Sequence, residues 1–252
     1  MNKFLGYLFT PIHYLVFGLI LCVFHPIQWI SLRLGGQEVH KKSVDYMNLF
    51  LIGSYLILGS RIKYTNKFNL PLDRPIIFIA NHQSMYDIPP LIWFLRQYHA
   101  KFISKIELTK GIPSISFNLK YGGGANIDRK DSKQAVAEIL KLGERMEKHN
   151  WSAVIFPEGT RSRDGKLKQF AVGGVATLLK RCPKALIVPV AIKGSWKFVR
   201  YGKFPLSFGE KMSWTVLAPF ENTGGPLEEL VLKAEGQIRG EVEAISEKNY
   251  DR

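Results

Sequence analysis

The sequence predicts an α/β protein in which a mostly parallel central sheet, flanked by helices, follows an N-terminal membrane-associated helical hairpin. Three observations lead to this prediction. A long uncharged apolar segment opens the chain, short runs of β-forming residues alternate with helically periodic segments from about residue 64, and polar residues directly follow several of those runs. Strands that alternate with helices are typical of parallel sheets. We therefore expect the hairpin in residues 1–63 and one α/β domain in residues 64–252.

The first segment, Phe4–Leu32, contains no Asp, Glu, Lys or Arg. As a helix it would reach about 43 Å, which exceeds the roughly 30 Å of a bilayer's hydrocarbon core. Pro11 and Pro26 are expected to interrupt it, and the second uncharged stretch, Tyr46–Ser60, is short for a full crossing. The segment lacks the cleavage site of a signal peptide. We expect a hairpin that dips into a membrane or crosses it once, with a buried helix pair in a soluble protein as the alternative.

Apolar runs and periodic segments define the elements of the α/β domain in order. Runs of β-branched and aromatic residues bounded by turn residues predict strands at Ile76–Ala80, Phe102–Ile103, Ala125–Ile127, Ala153–Phe156, Leu186–Ile192 and Trp214–Leu217. Helical periodicity predicts helices at Ile88–Tyr98, 131–149, Phe170–Leu179 and Leu227–Ile245. Asp131 and Gln134 have the spacing of a capping box, in which each side chain bonds the other residue's backbone N–H.

The composition indicates an anionic partner. The chain has 35 Lys and Arg against 21 Asp and Glu, a formal net charge of +14, which suits nucleic acid, lipid head groups or a phosphorylated substrate. Cations and aromatic residues interleave from Lys193 to Lys211, a pattern that can lie on anionic head groups or form an ordinary exposed hairpin. The two cysteines, Cys22 and Cys182, exclude a disulfide framework and a four-cysteine zinc site.

His82 and Asp87 follow the predicted strand Ile76–Ala80, and ligands gather beyond the carboxyl ends of parallel strands. A histidine is the natural general base near neutral pH, and a carboxylate on its other ring nitrogen fixes its tautomer. Two residues five apart on a continuous helix would not face each other, so this pair requires a turn at the end of the strand. The alternatives are that Asp87 only caps the helix from Ile88 and that His82 is a structural histidine.

A second polar loop, Glu158–Arg161, follows the predicted strand Ala153–Phe156. Arginine can recognise phosphate through two parallel hydrogen bonds, and glycine lets the backbone approach a ligand. An ordinary turn with an ion pair is the alternative. The sequence contains no G-x-S-x-G nucleophile elbow, P-loop or H-E-x-x-H zinc motif. We therefore expect a substrate hydroxyl to attack directly, without a covalent enzyme intermediate, a metal or a nucleotide cofactor.

Four ordered blocks between Tyr64 and Phe220 resemble the glycerolipid acyltransferase superfamily, and within it the 1-acyl-sn-glycerol-3-phosphate acyltransferase family. The blocks are N-H-x-S-x-x-D at Asn81, His82, Ser84 and Asp87; G-x-x-x-I-D-R at Gly123, Ile127, Asp128 and Arg129; F-P-E-G-T-R-S at residues 156–162; and V-P-V at residues 188–190. The glycine-rich stretch 122–126 departs from the usual apolar character of the second block.

The resemblance implies a role for each matching residue. His82, helped by Asp87, would deprotonate the free hydroxyl of 1-acyl-glycerol-3-phosphate for attack on an acyl thioester, giving phosphatidic acid for phospholipid biosynthesis. The residues implied in substrate binding are Lys105, Arg129, Glu158, Gly159, Thr160 and Arg161. Of these, the three cations would hold the phosphate, and the other three would shape the acceptor pocket.

The resemblance also implies the partners: a lipid bilayer, a lysophospholipid and an acyl thioester of coenzyme A or acyl-carrier protein, with no cofactor. The catalytic domain would lie on the cytoplasmic face of the membrane. The main alternative is a sister acyltransferase that uses glycerol-3-phosphate, a lyso-ornithine lipid or another lysophospholipid, because the blocks barely distinguish acceptors. A remoter alternative is a membrane-tethered nucleic-acid binder, which would leave His82, Asp87 and Glu158 unexplained; we expect no nucleic-acid partner.

Overall fold

The computed structural model describes residues 2–244, which form a seven-stranded sheet between two layers of helices. The strands are β1 (Arg61–Thr65), β2 (Ile76–Ala80), β3 (Ala100–Lys105), β4 (Ala125–Ile127), β5 (Ser152–Ile155), β6 (Leu186–Lys193) and β7 (Lys211–Val216). The helices are α1 (Asn2–Ser54), α2 (Ile88–Phe94), α3 (Ile115–Tyr121), α4 (Ser132–His149), α5 (Gly173–Arg181), α6 (Ser195–Phe198) and α7 (Leu227–Glu243). Short 3-10 turns occupy Tyr55–Leu58, Met85–Asp87, Arg96–Tyr98 and Ile106–Thr109. The predicted end of the last helix, Ile245, lies outside the described residues.

The strand order is β1-β7-β6-β2-β5-β3-β4. The five strands from β6 to β4 are parallel to one another, whereas β7 pairs antiparallel with β6 and parallel with β1. The predicted mostly parallel α/β sheet is therefore confirmed. Strand β2 is central and all five of its residues are buried. The loop that follows it therefore begins at the middle of the carboxyl edge of the sheet.

The side chains of β2 connect two hydrophobic layers, because successive residues of a strand point to opposite faces of the sheet. Phe78 belongs to a layer shared with α1, α2 and β7, and Ile77 belongs to a layer shared with α4, α5 and α7. Both residues are fully buried. Burial of a side chain of this size contributes about 1.5–3 kcal/mol, so the two layers hold the central strands, and with them the carboxyl edge, in a fixed position.

Two predicted helices have different bounds in the structure. The predicted helix Ile88–Tyr98 ends at Phe94, because the chain tightens into a 3-10 turn. Helix α5 begins at Gly173 rather than at Phe170, whose backbone N–H instead donates to Glu235 Oε2 at 2.9 Å. This bond ties the segment before α5 to helix α7, so Phe170 is buried outside the helix.

Strand β1 has no counterpart among the predicted strands, and it spans the expected boundary between residues 63 and 64, so that the sheet begins at Arg61. The predicted cap of α4 forms in part: Asp131 accepts a hydrogen bond from the Gln134 backbone N–H at 3.0 Å. Among the described residues the reciprocal bond does not form, because the Gln134 side chain donates to the Asn126 carbonyl and accepts from the Asp128 N–H.

Helix α1 is a hairpin whose two halves meet at Gly36. Gly36 adopts φ 66° and ψ −162°, a combination open essentially to glycine, and the chain reverses there. The rings of Phe24 and Phe50 lie 5.7 Å apart, and Gln28 Nε2 donates to Met47 Sδ at 3.2 Å. These contacts hold the two halves against each other and form the predicted hairpin.

Many buried residues of the hairpin are polar and many exposed ones are apolar, apart from the small cluster of Leu21, Met47 and Leu51 that packs between its two halves. Its buried residues include Thr10, His13, Gln28, His40 and Asn48, and its exposed residues include Phe4, Leu8, Leu15, Leu19 and Leu34. The helix is long and apolar enough to cross a membrane, and only 17% of its most apolar stretch is buried. A core helix of a soluble protein turns its apolar face inward, so the opposite arrangement here indicates membrane association.

Pro11 and Pro26 do not interrupt the hairpin: both lie inside a helix that continues through them. The prediction of two breaks was wrong because the fixed φ of proline is itself close to the helical value. Each proline removes one backbone donor and crowds a carbonyl of the preceding turn, and the helix nevertheless continues through both.

The segment Lys193–Lys211 packs against the start of α1 rather than forming an isolated exposed hairpin. The rings of Tyr7 and Phe204 lie 5.5 Å apart, and the Leu206 N–H donates to Thr10 Oγ1 at 2.9 Å. Phe198 is fully buried within this segment, whereas Phe204 is 51% exposed. The interleaved aromatic residues therefore serve partly as core, and contact of the remaining ones with lipid head groups stays a prediction.

Candidate active site

Asn81 fixes the point at which the chain leaves the sheet after β2. Its side chain extends the hydrogen-bond ladder to β6, because Oδ1 accepts from the Ile192 N–H at 2.7 Å and Nδ2 donates to the Ile192 carbonyl at 2.9 Å. Asn81 is buried, and buried polar groups of this kind are costly unless they are paired. His82 therefore begins its loop from a rigid position at the carboxyl edge of the sheet.

The chain turns tightly between His82 and Asp87 and brings the two side chains together. Asp87 Oδ2 accepts from His82 Nδ1 at 2.8 Å, and also from the backbone N–H groups of Gln83 at 2.7 Å and Ser84 at 2.9 Å. The required turn is a 3-10 turn over Met85–Asp87. Asp87 makes no side-chain cap to α2, so the alternative of a simple helix cap is wrong.

The second oxygen of Asp87 faces Ser195, at the start of α6. Ser195 Oγ donates a short hydrogen bond to Asp87 Oδ1, and the Ser195 N–H donates to Gln83 Oε1 at 3.1 Å. Asp87 and Ser195 are both fully buried. Ser195 follows Gly194, whose φ of 81° and close approach to the Lys211 carbonyl leave no room for a side chain. The chain after β6 thus holds the carboxylate of Asp87 through Oδ1, the oxygen that does not bond His82.

The His82 ring packs against the loop that follows β5, whose first residue is Phe156. It stacks on the Phe156 ring with centroids 4.2 Å apart, and the His82 carbonyl accepts from the Ser162 N–H at 2.8 Å. Arg161 Nε lies 3.4 Å from His82 Nε2, on the edge of the ring away from Asp87. The side chain of His82 is 12% exposed. With Nδ1 directed to the carboxylate, Nε2 is the nitrogen left to accept a proton.

Glu158 fastens the loop after β5 to the loop after β2. Its Oε1 accepts from the His82 backbone N–H at 2.7 Å, and its Oε2 accepts from the Lys168 N–H at 3.2 Å. Burial raises the pKa of Glu158 to about 7, although both hydrogen bonds oppose this shift. The structure therefore ties both oxygens of Glu158 to backbone amides, so the side chain supports the walls of the site.

The next two residues, Gly159 and Thr160, are exposed at the same edge. Gly159 adopts φ 66° with open space where a side chain would stand. Thr160 Oγ1 accepts from Lys168 Nζ at 2.8 Å, and the same ammonium donates to the Arg161 carbonyl at 3.0 Å. Lys168 thus holds the Thr160 side chain and the Arg161 backbone, from which the Arg161 side chain extends.

The three predicted phosphate-binding cations lie at the carboxyl ends of their strands. Desolvation lowers the pKa of Arg161, Asp87 raises it and Arg129 lowers it again, so Arg129 stands within electrostatic range of Arg161. Lys105 ends β3 in register with Ile127 of β4, two residues before Arg129, and its side chain is exposed. Two neighbouring guanidinium groups favour an anion between them. For Lys105, the structure shows the position at this edge and no contact with the other cations.

Four contributors to the site were missed by sequence reasoning: Phe156, which supports the ring; Gln83 and Ser195, which hold Asp87; and Lys168, which holds the loop. Gln83 and Phe156 lie inside the quoted sequence blocks, so a search for ring-stacking and amide partners within the blocks would have found them. Ser195 lies 108 residues from Asp87, and no spacing rule connects the two.

Neither cysteine is placed to act as a nucleophile beside His82. Cys22 is on the exposed side of the hairpin, and Cys182 is buried with its thiol donating to Glu147 Oε2 at 3.2 Å. Burial raises the pKa of the Cys182 thiol to about 12, so it is protonated at neutral pH and unreactive. In residues 2–244, no group of three or more His, Cys, Asp or Glu side chains is arranged to hold a metal ion.

A histidine and carboxylate pair thus lies at the centre of a parallel sheet edge, with the Arg161 guanidinium beside it. Residues 61–193 match the family model described as Acyltransferase. This match covers more than half of the chain, which therefore belongs to the acyltransferase family.

Similar proteins with known names are 1-acyl-sn-glycerol-3-phosphate acyltransferases. The chloroplastic enzyme of Brassica napus is 35% identical over 135 residues, which cover 53% of this chain and 38% of that protein. The human beta form is 33% identical over 159 residues, covering 63% of this chain and 55% of its own length. The chain thus matches between about a third and a little over half of these relatives.

A solved structure resembles the chain over nearly its whole length. The crystal structure of the 1-acyl-sn-glycerophosphate acyltransferase PlsC from Thermotoga maritima matches it with a TM-score of 0.79 and 26% sequence identity, covering 98% of both chains. The likeness extends over the N-terminal hairpin as well as the sheet.

Proposed function

We propose that the protein transfers an acyl chain from an acyl thioester to the free hydroxyl of 1-acyl-glycerol-3-phosphate, giving phosphatidic acid. The observation that carries this proposal is the bond of 2.8 Å between His82 Nδ1 and Asp87, with Arg161 at the other ring nitrogen. The names of the relatives and of the structural neighbour support the same acceptor.

The geometry suits a mechanism with direct attack. His82 Nε2 takes the proton of the acceptor hydroxyl as its oxygen bonds to the thioester carbonyl carbon, and Asp87 stabilises the resulting imidazolium. The tetrahedral intermediate then collapses, the carbon–sulfur bond breaks, and the leaving thiolate takes the proton from His82. Arg161, Arg129 and Lys105 hold the acceptor phosphate. No acyl group is attached to the protein at any step, and no cofactor is needed.

The acyl thioester is either acyl-coenzyme A or acyl-carrier protein, and the reaction takes place at the bilayer surface, on the cytoplasmic face. The apolar exposed side of α1 supports the location at a bilayer. A lysophospholipid acceptor and its two-chain product both partition into lipid, so a catalytic edge next to a membrane-associated hairpin shortens the path between bilayer and site.

A panel of acceptors tests the proposal directly. Purified protein in detergent is incubated with one labelled acyl chain, supplied in separate reactions as the coenzyme A thioester and as the acyl-carrier-protein thioester. The acceptors are 1-acyl-glycerol-3-phosphate, glycerol-3-phosphate, a lyso-ornithine lipid and lysophosphatidylcholine. We expect label in phosphatidic acid with the first acceptor only. Preferred transfer to another acceptor would identify a sister acyltransferase, and hydroxylamine-labile label on the protein would contradict direct attack.

A further inference from the structure

A groove of about 410 Å³ lies between the first half of α1 and the segment that links β3 to β4. Its lining includes three cations, Arg33, Lys110 and Lys120, and three aromatic residues, Trp29, Phe117 and Tyr121. None of the residues assigned above to the catalytic site lines it. The volume falls within the range of small-molecule sites, so the groove is large enough for a ligand of its own.

The charge of the groove is of one sign. Arg33, Lys110 and Lys120 are exposed, and the lining contains one histidine, His25, and no aspartate or glutamate. Within residues 2–244, none of the three cations forms an ion pair with a carboxylate. Unpaired cations that converge on one concave surface attract an anion, and arginine and lysine both bind phosphate.

Contacts of the aromatic residues hold the lining of the groove in place. The Arg33 guanidinium lies 5.3 Å from the Trp29 ring centroid, and the rings of Phe117 and Tyr121 lie 4.7 Å apart. At one wall, His25 Nδ1 accepts from the Ser114 N–H at 3.0 Å, which fixes α1 against the start of α3. The three cations therefore project from a surface whose shape is set by contacts within the protein, before any ligand binds.

The groove opens beside exposed apolar residues of the hairpin. Leu34, next to Arg33, is 85% exposed, and Ile30, next to Trp29, is 47% exposed. Aromatic and basic residues at the edge of such a surface are typical of the level of lipid head groups. A ligand with a phosphate and long acyl chains would place its phosphate in the groove and its chains along this surface.

We propose that this groove binds the phosphate-bearing head group of an anionic membrane phospholipid, separately from the acceptor site at His82. A bound lipid would fix the depth and orientation of the hairpin in the bilayer. Free inorganic phosphate shares the same chemistry, so the test must distinguish the two sources. Each cation near an anionic surface contributes about fivefold to affinity, so we expect loss of all three to weaken binding about 100-fold.

The test uses the full chain with the substitution His82→Ala, so that turnover cannot consume or produce lipid. Protein in non-ionic detergent is titrated with dioleoyl-phosphatidylglycerol or dioleoyl-phosphatidylcholine, and bound lipid is counted by native mass spectrometry. The groove variant carries Arg33→Gln, Lys110→Gln and Lys120→Gln. The matched control carries Lys133→Gln, Lys180→Gln and Lys184→Gln, three exposed positions outside the groove. Circular dichroism checks that both variants are folded.

We expect saturable binding of phosphatidylglycerol over phosphatidylcholine, a loss of about 100-fold in the groove variant and a change of less than about twofold in the control. Unchanged binding by the groove variant would overturn the proposal, as would an equal loss in both variants, which would indicate diffuse attraction. Displacement of the lipid by 10 mM inorganic phosphate at constant ionic strength would assign the groove to a soluble anion instead. Because binding is measured without turnover, failure here is distinguishable from failure of the proposed acyl transfer.

Discussion

Five donors converge on the two oxygens of Asp87. They are the His82 ring, the backbone N–H groups of Gln83 and Ser84, and the hydroxyls of Ser84 and Ser195. A fully buried carboxylate is stable only with such a set of partners. The donors also fix its direction, so that the imidazole is oriented before any substrate binds. The orientation of the His82 ring therefore depends on the buried residues that surround Asp87.

His82→Ala is expected to reduce turnover about 1,000-fold or more, because the acceptor hydroxyl loses its base. The rate of phosphatidic acid formation under saturating substrates measures this change. The unfolding curve of the variant should stay close to that of the wild type, since one edge of the ring is open to the site. Near-normal turnover would remove His82 from the mechanism.

Ser195→Ala is expected to lower kcat about tenfold, because a hydrogen bond to a charged group contributes about 1.5–3 kcal/mol and its loss loosens Asp87. The KM values for both substrates should change little, since Ser195 is fully buried and contacts Asp87 through the oxygen that does not bond His82. Ser207→Ala is the matched control and should leave kcat unchanged, since Ser207 Oγ donates to Glu210 at 2.6 Å in an equally buried place. An equal fall in kcat in both variants would exclude a positioning role for Ser195.

Arg161→Ala is expected to raise the KM for the phosphorylated acceptor about 10- to 100-fold, which corresponds to one lost charge-assisted hydrogen bond. The KM for the acyl thioester should change little. Initial rates measured while each substrate is varied separate the two effects. Arg163→Ala, an exposed neighbour, should leave both constants unchanged. Equal increases in both KM values would reject the phosphate-binding role.

At the scale of elements, the site depends on the docking of the loop after β5 onto the loop after β2. Phe156 supplies the stacking surface, Ser162 bonds the His82 carbonyl, and Glu158 bonds the His82 amide. Backbone groups at both ends of His82 are therefore occupied by one neighbouring loop. Parallel strands make this possible, because the loops that follow β2 and β5 emerge at the same edge.

Glu158→Gln is expected to change how stability depends on pH. The pKa of Glu158 is raised by burial to about 7 from an ordinary value of 4.5, so between these limits the folded state binds more protons than the unfolded state. The free energy of unfolding should therefore fall as pH rises from about 4.5 to 7.

In Glu158→Gln, the decrease in the free energy of unfolding that Glu158 causes between pH 4.5 and about pH 7 should disappear, because the amide does not titrate. The amide oxygen can still accept a hydrogen bond from one of the two backbone N–H groups. Chemical unfolding at pH 5 and pH 8 measures the difference. Glu107→Gln, an exposed glutamate, serves as the control and should follow the wild type. The same pH slope in Glu158→Gln as in the wild type would show that Glu158 is not the titrating group.

At the scale of the whole molecule, the hairpin and the sheet form one unit. Helix α1 contacts the segment between β6 and β7 through Thr10, and α3 through the bond from Ser114 Oγ to the Leu21 carbonyl. Buried polar residues of the hairpin, such as Thr10 and His13, face the sheet side, whereas Leu8, Leu15 and Leu19 are exposed. The catalytic edge is consequently held at a fixed position relative to the membrane-facing surface.

Leu15→Glu with Leu19→Glu is expected to release most of the protein from membranes, because two exposed leucines on the apolar side become charged. These residues are 64% and 54% exposed, so the free energy of unfolding in detergent should change by less than about 1 kcal/mol. Sedimentation with vesicles measures the bound fraction. Val136→Glu, at an exposed position of α4, should leave it unchanged. Retention of the double variant on vesicles would show that this face does not contact lipid.

Much of the fold and of the candidate site can be predicted from the sequence, because it depends on residues that are close together in the chain. The buried strand Ile76–Ala80, the cap at Asp131 and the uncharged run from Phe4 follow from periodicity and residue type. The proximity of His82 and Asp87 was predicted because both lie on one turn after a strand. Strand β1 was missed although Ile62 and Tyr64 alternate with Arg61, Lys63 and Thr65, because two apolar positions in five residues are a weak signal and the segment is half exposed at a sheet edge.

Sequence alone determined the family resemblance, the order of the central strands along the chain and the two loops that carry the reactive residues, because these are written in short contiguous stretches. Only the tertiary structure decided which face of the hairpin is buried and that Ser195 completes the surroundings of Asp87. It also decided that Glu158 bonds the His82 backbone. The contacts of Ser195 with Asp87 and of Glu158 with His82 join residues 108 and 76 positions apart. Such pairings form only when the strands assemble into the sheet, and no local pattern in the sequence encodes them.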